Sequence, residues 1–208
     1  MRFSRLGDGD LPVETVGLAR TLIGHILVRE DHDGITAGRI VETEAYVPDD
    51  PASHAYRGRR PRNRSMFLAP FRAYIYQIYG MHLCFNVSSE VEGEGAGVLI
   101  RALVPLEGVD LMMRRRGCNA LRNLCRGPSR LCEALDIDRS LDGVELIHDR
   151  RIWIAAPDRP QPEVATSPRI GISRAASREL RFYDAGNPMV SGPKSRRLEG
   201  YTRGVVLE

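Results

Sequence analysis

Alternating apolar and polar residues predict a β-hairpin near the middle of the chain. Residues 74–79 alternate between two faces, Gly80 breaks the pattern, and residues 82–87 alternate again. The tip of this hairpin then carries Tyr79, Gly80 and Met81. No core can cover a large aromatic ring and a methionine at such a place, which raises the question of what they contact.

The same alternation and the intervening turn residues predict the other elements. Strands are predicted at residues 25–29, 35–46, 98–103, 145–147, 151–155, 169–172 and 180–183, and helices at residues 10–23, 106–116 and from residue 128 onward. Residues 47–70 and 156–168, each with several prolines, are predicted to be loops. Strands joined mostly by hairpins, with few helices, predict one α+β domain over residues 1–191 and a tail, 192–208, of unknown role.

The composition is that of a globular protein with a packed core. Of the 208 residues, 42% are hydrophobic, and no apolar run is long enough to span a membrane. The first ten residues, MRFSRLGDGD, lack the pattern of a signal peptide, so we expect a cytoplasmic protein. Cys84, Cys118, Cys125 and Cys132 form no CxxC pair and are expected to be reduced thiols.

The small net charge of +3 conceals two arginine-rich segments. Residues 55–72 and 111–131 together hold 12 of the 30 basic residues and contain no acidic residue. Such segments are typical of a surface that binds a polyanion, although two solvated loops would have the same composition. Charge alone leaves both interpretations open.

The stretch GRIVETEAY, residues 38–46, is the best candidate for chemistry. On a regular strand, Glu42, Glu44 and Tyr46 share a face with Ile40, and carboxylates on a partly buried face are costly unless they are used. A half-exposed strand with its acids in water is the simpler interpretation. A metal cluster of a nuclease is a second, with ligands from Glu42, Glu44, Asp49, Asp50 and His54. A third is a metal-free site in which one carboxylate is a general base beside a stacking pocket.

Several motifs in the chain resemble the alkyladenine (3-methyladenine) DNA glycosylases of the methylpurine type. The motifs are GRIVETEAY, DPASHAYRGRRPRNRSMF, YIYQIYGMHLCFN, VLIRALVPLEG, LCRGPSRLCEALDI, PRIGIS and LRFYDAGNPMVS. They occur in order from about residue 18 to residue 191. The resemblance implies one α+β domain with a curved, largely antiparallel sheet, flanking helices and a protruding DNA-intercalating hairpin, similar to the C-terminal domain of formyltransferases.

The resemblance also implies a role for each candidate residue. Glu44 would activate a water that attacks the sugar, and Arg101 and the backbone carbonyl of Ile170 would help to hold that water. Tyr46 and Tyr76 would sandwich a flipped base, His54 would bind its edge, and Asn86 would obstruct the amine of guanine. The residues expected to contact DNA are Tyr79 as the wedge, Met81 beside it, and Arg62, Arg64, Arg116 and Arg130 at phosphates.

The implied activity is the release of alkylated or deaminated purines from double-stranded DNA by a monomer, without metal or cofactor. Strand nicking is not expected, because it needs an amine nucleophile and Lys194 in the tail is the only lysine. A metal-dependent nuclease and a non-catalytic nucleic-acid-binding module are the alternatives.

Two departures from the family pattern are Phe71, where glycine is usual, and the acidic loop of residues 90–94.

Overall fold

An antiparallel β-sheet is the main element of the structure, a computed structural model that describes residues 3–192. Within that range the strands are β1 (Ile26–Asp31), β2 (Gly34–Tyr46), β3 (Ala73–Ile78), β4 (His82–Ser88), β5 (Gly97–Glu107), β6 (Ile152–Ala155), β7 (Val164–Ser167) and β8 (Arg181–Asp184). Their order is β3-β4-β5-β2-β1-β6, while β8 also pairs with β2 and β7 pairs with β8. The curled sheet and its few helices confirm the α+β class.

Short helices cover the sheet and supply its core. They are α1 (Thr15–Thr21), α2 (Val109–Arg116), α3 (Leu121–Leu124) and α4 (Pro128–Ala134), with 3₁₀ helices at Pro61–Phe67 and Arg139–Leu141. Leu18, Met112 and Leu131 from these helices are fully buried in one cluster with Phe85 and Ile100 of the sheet. Each such side chain contributes about 1.5–3 kcal/mol to folding. No helix in residues 3–192 is both long and apolar enough to cross a membrane.

Five local predictions were wrong, the first two because side-chain carboxylates accept N–H groups that a strand would donate to its neighbour. Residues 169–172 are not a strand, because the Ile170 N–H donates to a buried carboxylate instead of to a neighbouring strand. Residues 145–147 are not a strand either, since the Glu145 carboxylate accepts the N–H groups of Ile147 and His148. The two predicted loops contain regular structure, namely the 3₁₀ helix Pro61–Phe67 and strand β7. Residues 106 and 107 continue β5 rather than begin a helix.

A β-bulge in β2 decides which side chains face the site. The pairing of β2 with β5 shifts register at Ile40, Glu42 and Thr43. Ile40 and Ala45 consequently lie in the same core cluster although five positions separate them. An extra residue in a strand reverses its alternation, so the prediction that Ile40 shares a face with Glu42 and Glu44 was wrong.

The turn before β3 and the acidic loop after β4 are both held by specific contacts. Phe71 has a φ of +65°, the left-handed region that glycine adopts most readily, and its ring packs against the core. Glu90 of the acidic loop accepts hydrogen bonds from the Thr15 N–H, at 2.8 Å, and from the Thr15 hydroxyl, at 2.5 Å. The loop is therefore anchored to the start of α1.

Candidate active site

A cavity of about 370 Å³ opens beside the β3–β4 hairpin. Its walls come from the end of β2, the two hairpin strands, β5, and the loops around residues 52–54 and 170–172. The lining residues are Tyr46, Ala52, His54, Met66, Tyr74, Tyr76, Ile78, Tyr79, Cys84, Asn86, Leu99, Arg101, Pro128, Ile170, Gly171 and Ile172. Most of this lining is aromatic or apolar, and it includes one arginine, Arg101 of β5.

The carboxylate of Glu44 is fully buried, and the three residues that it contacts, Tyr46, Arg101 and Ile170, line the cavity. Its Oε2 accepts a hydrogen bond from the Tyr46 hydroxyl, at 3.0 Å, and lies 3.2 Å from Nη1 of Arg101. Its Oε1 accepts the N–H of Ile170 at 2.7 Å. A carboxylate has about four acceptor positions, so one remains for a further donor such as water. The half-exposed strand with its acids in water was therefore the wrong interpretation.

Glu42, also fully buried, is surrounded by donors that fix its position. Its Oε1 accepts from Arg101 Nε at 3.0 Å and from Arg181 Nε at 2.7 Å, while the Ser191 N–H donates to Oε2 at 2.6 Å. Burial alone would raise the pKa of Glu42, but the two guanidiniums outweigh it and lower that pKa. Arg101 thus bridges Glu42 and Glu44, which keeps both carboxylates in place.

Three aromatic rings from two segments, those of His54, Tyr74 and Tyr76, contact one another in the lining of the cavity. The Tyr74 and Tyr76 rings are stacked, with centroids 5.4 Å apart, and the His54 ring meets Tyr76 edge-on at 4.4 Å. Nδ1 of His54 is 2.9 Å from the Tyr74 hydroxyl. Burial and then the charge of Arg62 lower the pKa of His54, so the ring is neutral at pH 7. Tyr74 was not assigned to the site, although its period-two spacing from Tyr76 was a usable signal.

Tyr46 also lines the cavity, and a buried ion pair lies against its ring. Cζ of Arg169 lies 4.6 Å from the centroid of the Tyr46 ring. Arg169 makes a bidentate contact with Asp50, with Nη2 3.1 Å from Oδ1, and both side chains are fully buried. Burial raises the pKa of Tyr46, and so does the neighbouring Glu44 carboxylate, so the hydroxyl keeps its proton.

The residues of the hypothetical metal cluster do not come together. Asp50 is committed to Arg169, Glu42 to Arg101 and Arg181, and Asp49 is exposed on its loop. Within residues 3–192, potential ligand atoms cluster only at the half-buried Asp31 and the exposed His32 and Asp33, a different part of the chain.

The amide of Asn86 lies at the cavity wall in a fixed orientation. Its Nδ2 donates to the backbone carbonyls of Tyr74, at 3.0 Å, and Cys84, at 3.5 Å. The amide oxygen is consequently the group left to face the cavity. The role predicted for Ile170 rested on its carbonyl, whereas the contact seen here is made by its N–H.

The hairpin tip projects from the rim of the cavity. Tyr79 is 89% exposed and Met81 is 78% exposed, and Tyr79 has a left-handed φ of +46°. A hydrogen bond of 2.9 Å between His82 Nδ1 and the Ser129 hydroxyl links the base of the tip to α4. The tip is thus held in place while its large side chains stay free in the described structure.

The four arginines that are expected to contact DNA differ in their exposure. Arg62, Arg64 and Arg130 are exposed, whereas Arg116 is paired with Glu133. A second hollow of about 250 Å³ adjoins His54 and is rich in arginine. Its lining residues are Pro51, Ser53, His54, Tyr56, Arg57, Arg60, Arg62 and Arg174. Arg174 lies outside both arginine-rich segments, so charge counting along the chain could not place it here.

Comparison with known proteins identifies the family. The model of the methylpurine-DNA glycosylase family matches residues 10–188. A Mesorhizobium japonicum protein named "Putative 3-methyladenine DNA glycosylase" is 53% identical over 190 residues, 91% of each chain. The human protein named "DNA-3-methyladenine glycosylase" is 44% identical over 205 residues, which is 90% of this chain and 68% of the human one. The chain therefore belongs to the methylpurine-DNA glycosylase family of enzymes, which hydrolyse N-glycosidic bonds of DNA.

Proposed function

We propose that the enzyme flips an alkylated or deaminated purine out of duplex DNA into the cavity and hydrolyses its glycosidic bond with a water activated by Glu44. The observation that carries this proposal is the buried Glu44 carboxylate behind an aromatic cavity, with three donors and one acceptor position left. Family membership supports the substrate class, since the matched relatives are named for 3-methyladenine.

Glu44 would act on water and on the sugar at the same time. The departing base leaves positive charge on the sugar, which an adjacent carboxylate stabilises. Tyr46, Arg101 and the Ile170 N–H orient the carboxylate, so the remaining acceptor position has a fixed direction. A water held at that position would be both positioned and polarised. The Ile170 carbonyl remains a proposed second contact for the water.

The aromatic walls suit a flipped purine with a positive charge. A planar base between Tyr46 and the Tyr76 side of the cavity would stack on both rings, with His54 at its edge. Electron-rich ring faces attract the cationic ring of an alkylated purine, and the neutral His54 does not repel it. The fixed amide of Asn86 would obstruct the exocyclic amine of guanine.

The hairpin tip and the arginines would bind the duplex around the extruded nucleotide. Tyr79, with Met81 beside it, would fill the space that the base leaves in the stack. The exposed Arg62, Arg64 and Arg130 would contact phosphates. Arg116 would do so only by leaving Glu133, which makes it the weaker candidate.

The reaction would end at an abasic site. A glycosylase that also nicks the strand needs an amine to attack the sugar, and arginine is a poor nucleophile because it stays protonated. Lys194 is the only lysine, and it lies outside the described residues. Borohydride treatment of the enzyme with damaged duplex is then expected to trap no covalent adduct, and a strong adduct would contradict this part of the proposal.

One assay separates this function from its two alternatives. Purified enzyme is incubated with duplexes that carry a single hypoxanthine or 3-methyladenine, with and without EDTA, and free base and strand breaks are both measured. We expect base release that EDTA does not reduce, with intact strands. Strand cleavage that EDTA abolishes would indicate a nuclease, and tight binding without release of either base would indicate a non-catalytic module.

A further inference from the structure

A buried ion pair lies against the aromatic wall that would stack on the damaged base. The Arg169 guanidinium covers the Tyr46 ring at 4.6 Å from its centroid, and its side chain is fully buried. Arg169 is not among the cavity residues whereas Tyr46 is. The guanidinium therefore covers Tyr46 from the protein side, and a base in the cavity would meet the ring from the other side.

Asp50 compensates the charge of this guanidinium. The two side chains make a bidentate contact, and Arg169 Nη1 also donates to the Ala45 carbonyl at 2.8 Å. Asp50 Oδ1 in turn accepts the N–H of Ala52 at 3.0 Å, so the carboxylate is fixed on its loop. The pair is neutral as a unit, and its positive end is the end that touches Tyr46.

A cation behind an aromatic ring changes what the front of the ring attracts. A positive charge on one face draws the π electrons toward it and weakens the attraction of the opposite face for a second cation. Low-dielectric surroundings strengthen such an effect, and both members of this pair are buried. The substrates proposed here include nucleotides whose base is a cation, such as 3-methyladenine, and nucleotides whose base is neutral, such as hypoxanthine. The charge behind Tyr46 would act differently on these two groups.

We propose that the Asp50–Arg169 pair sets the preference of the pocket for cationic over neutral damaged purines by controlling the charge behind Tyr46. Neither residue touches the base, and each acts through the Tyr46 ring. The inference rests on the proposed function, because it assumes that a purine stacks on Tyr46. It assigns to Asp50 and Arg169 an effect on substrate choice in addition to their packing.

The two partners are expected to have opposite effects, which a purely structural role cannot produce. Asp50→Asn leaves an uncompensated guanidinium behind Tyr46 and disfavours a cationic base. Arg169→Met removes the cation, keeps an aliphatic chain of similar length over the ring and favours a cationic base. Loss of packing alone would slow both variants on both substrates, and would therefore cancel in the ratio of the two rates.

The test measures single-turnover release of 3-methyladenine and of hypoxanthine from otherwise identical duplexes, with the rate without enzyme subtracted. The ratio of the two rates is expected to fall about threefold in Asp50→Asn and to rise about threefold in Arg169→Met, the scale of one cation–π contact. Asp158→Asn is the matched control, because it breaks another Arg–Asp pair, with Arg39, and neither residue lines the cavity. Its ratio is expected to equal that of the wild type.

Unchanged ratios in both variants, or shifts in the same direction, would overturn the inference. If a variant releases base too slowly to time, its affinities for the two duplexes replace the rates, and the same ratio is compared. Release by the wild type with unchanged variant ratios counts against this inference alone. A wild type that releases neither base would overturn the proposed function and this inference with it.

Discussion

At the scale of single residues, two nearby carboxylates of β2, Glu42 and Glu44, differ in the donors that surround them. Both are fully buried on β2. Glu42 accepts from two arginines and from both donors of Ser191, and neither Arg181 nor Ser191 lines the cavity. Glu44 has three donors, and all three residues line the cavity. We therefore propose Glu44, and not Glu42, as the base.

Glu42→Gln is expected to destabilise the fold strongly. The amide removes the negative charge that compensates Arg101 and Arg181, and an uncompensated buried charge costs about 3–5 kcal/mol. Urea unfolding gives the free energy of unfolding of the variant and of Glu92→Gln, which changes an exposed glutamate. Equal stability of the two variants would show that the buried network contributes little.

The histidines predict how stability depends on pH. Burial lowers the pKa of His54 and of His25 below their ordinary value near 6.5. The unfolded chain therefore binds protons that the folded protein does not, so stability is lost as the pH falls below about 6.5. Urea unfolding between about pH 7 and pH 5 is expected to show this loss, and His54→Asn is expected to reduce it. The same pH dependence in His54→Asn and wild type would contradict the depressed pKa of His54.

At the scale of elements, the β3–β4 hairpin was readable from the sequence because local alternation determines it. Strand β2 was readable for the same reason, but its bulge was not, and the bulge decides the faces of Ile40 and Glu42. The sequence did not predict the hydrogen-bond partners of the buried carboxylates either. Arg169 lies 119 positions from Asp50, and Arg181 lies 139 positions from Glu42, so no local pattern connects them.

Replacing the exposed aromatic ring of the hairpin tip is expected to weaken DNA binding without affecting the fold. Tyr79→Ser removes the group that would substitute for a base in the stack, a loss of about 1–3 kcal/mol in affinity for damaged duplex. Val91→Ser is the control, because it changes an exposed apolar residue in another loop. Fluorescence anisotropy measures both affinities, and wild-type binding by Tyr79→Ser would leave the hairpin tip without a role.

At the scale of the whole molecule, arginines from separate segments of the chain meet in one hollow beside the cavity. The arginine-lined hollow adjoins His54, near β3 at one sheet edge, while Arg150 precedes β6 at the opposite edge. Of these arginines, only Arg62 was expected to contact DNA, and the folded chain also brings Arg174 beside Arg57 and Arg60. A duplex bound at the cavity mouth would therefore lie against this hollow.

Arginines of the hollow are expected to determine the salt dependence of binding. Each phosphate contact that is lost reduces the slope of log affinity against log salt by about 0.9. Arg60→Ala is expected to lower the slope by about this amount for damaged and undamaged duplex alike, while Arg150→Ala leaves it unchanged. Titrations at several salt concentrations measure the slope. Equal slopes for the two variants would place the duplex elsewhere.

The most direct test of the proposed mechanism compares Glu44→Gln with the wild type and Glu92→Gln on one damaged duplex. The amide keeps the shape of the carboxylate but cannot accept a proton. Its NH₂ group also faces one of the donors to Glu44, so the folded variant is expected to be somewhat less stable than the wild type. Binding is measured by anisotropy and base release under single turnover, at a temperature where all three proteins are folded. We expect affinity for the duplex to persist and release to fall on the order of 10²–10⁴-fold in Glu44→Gln alone. Release by Glu44→Gln at the wild-type rate would contradict the assignment of Glu44 as the general base.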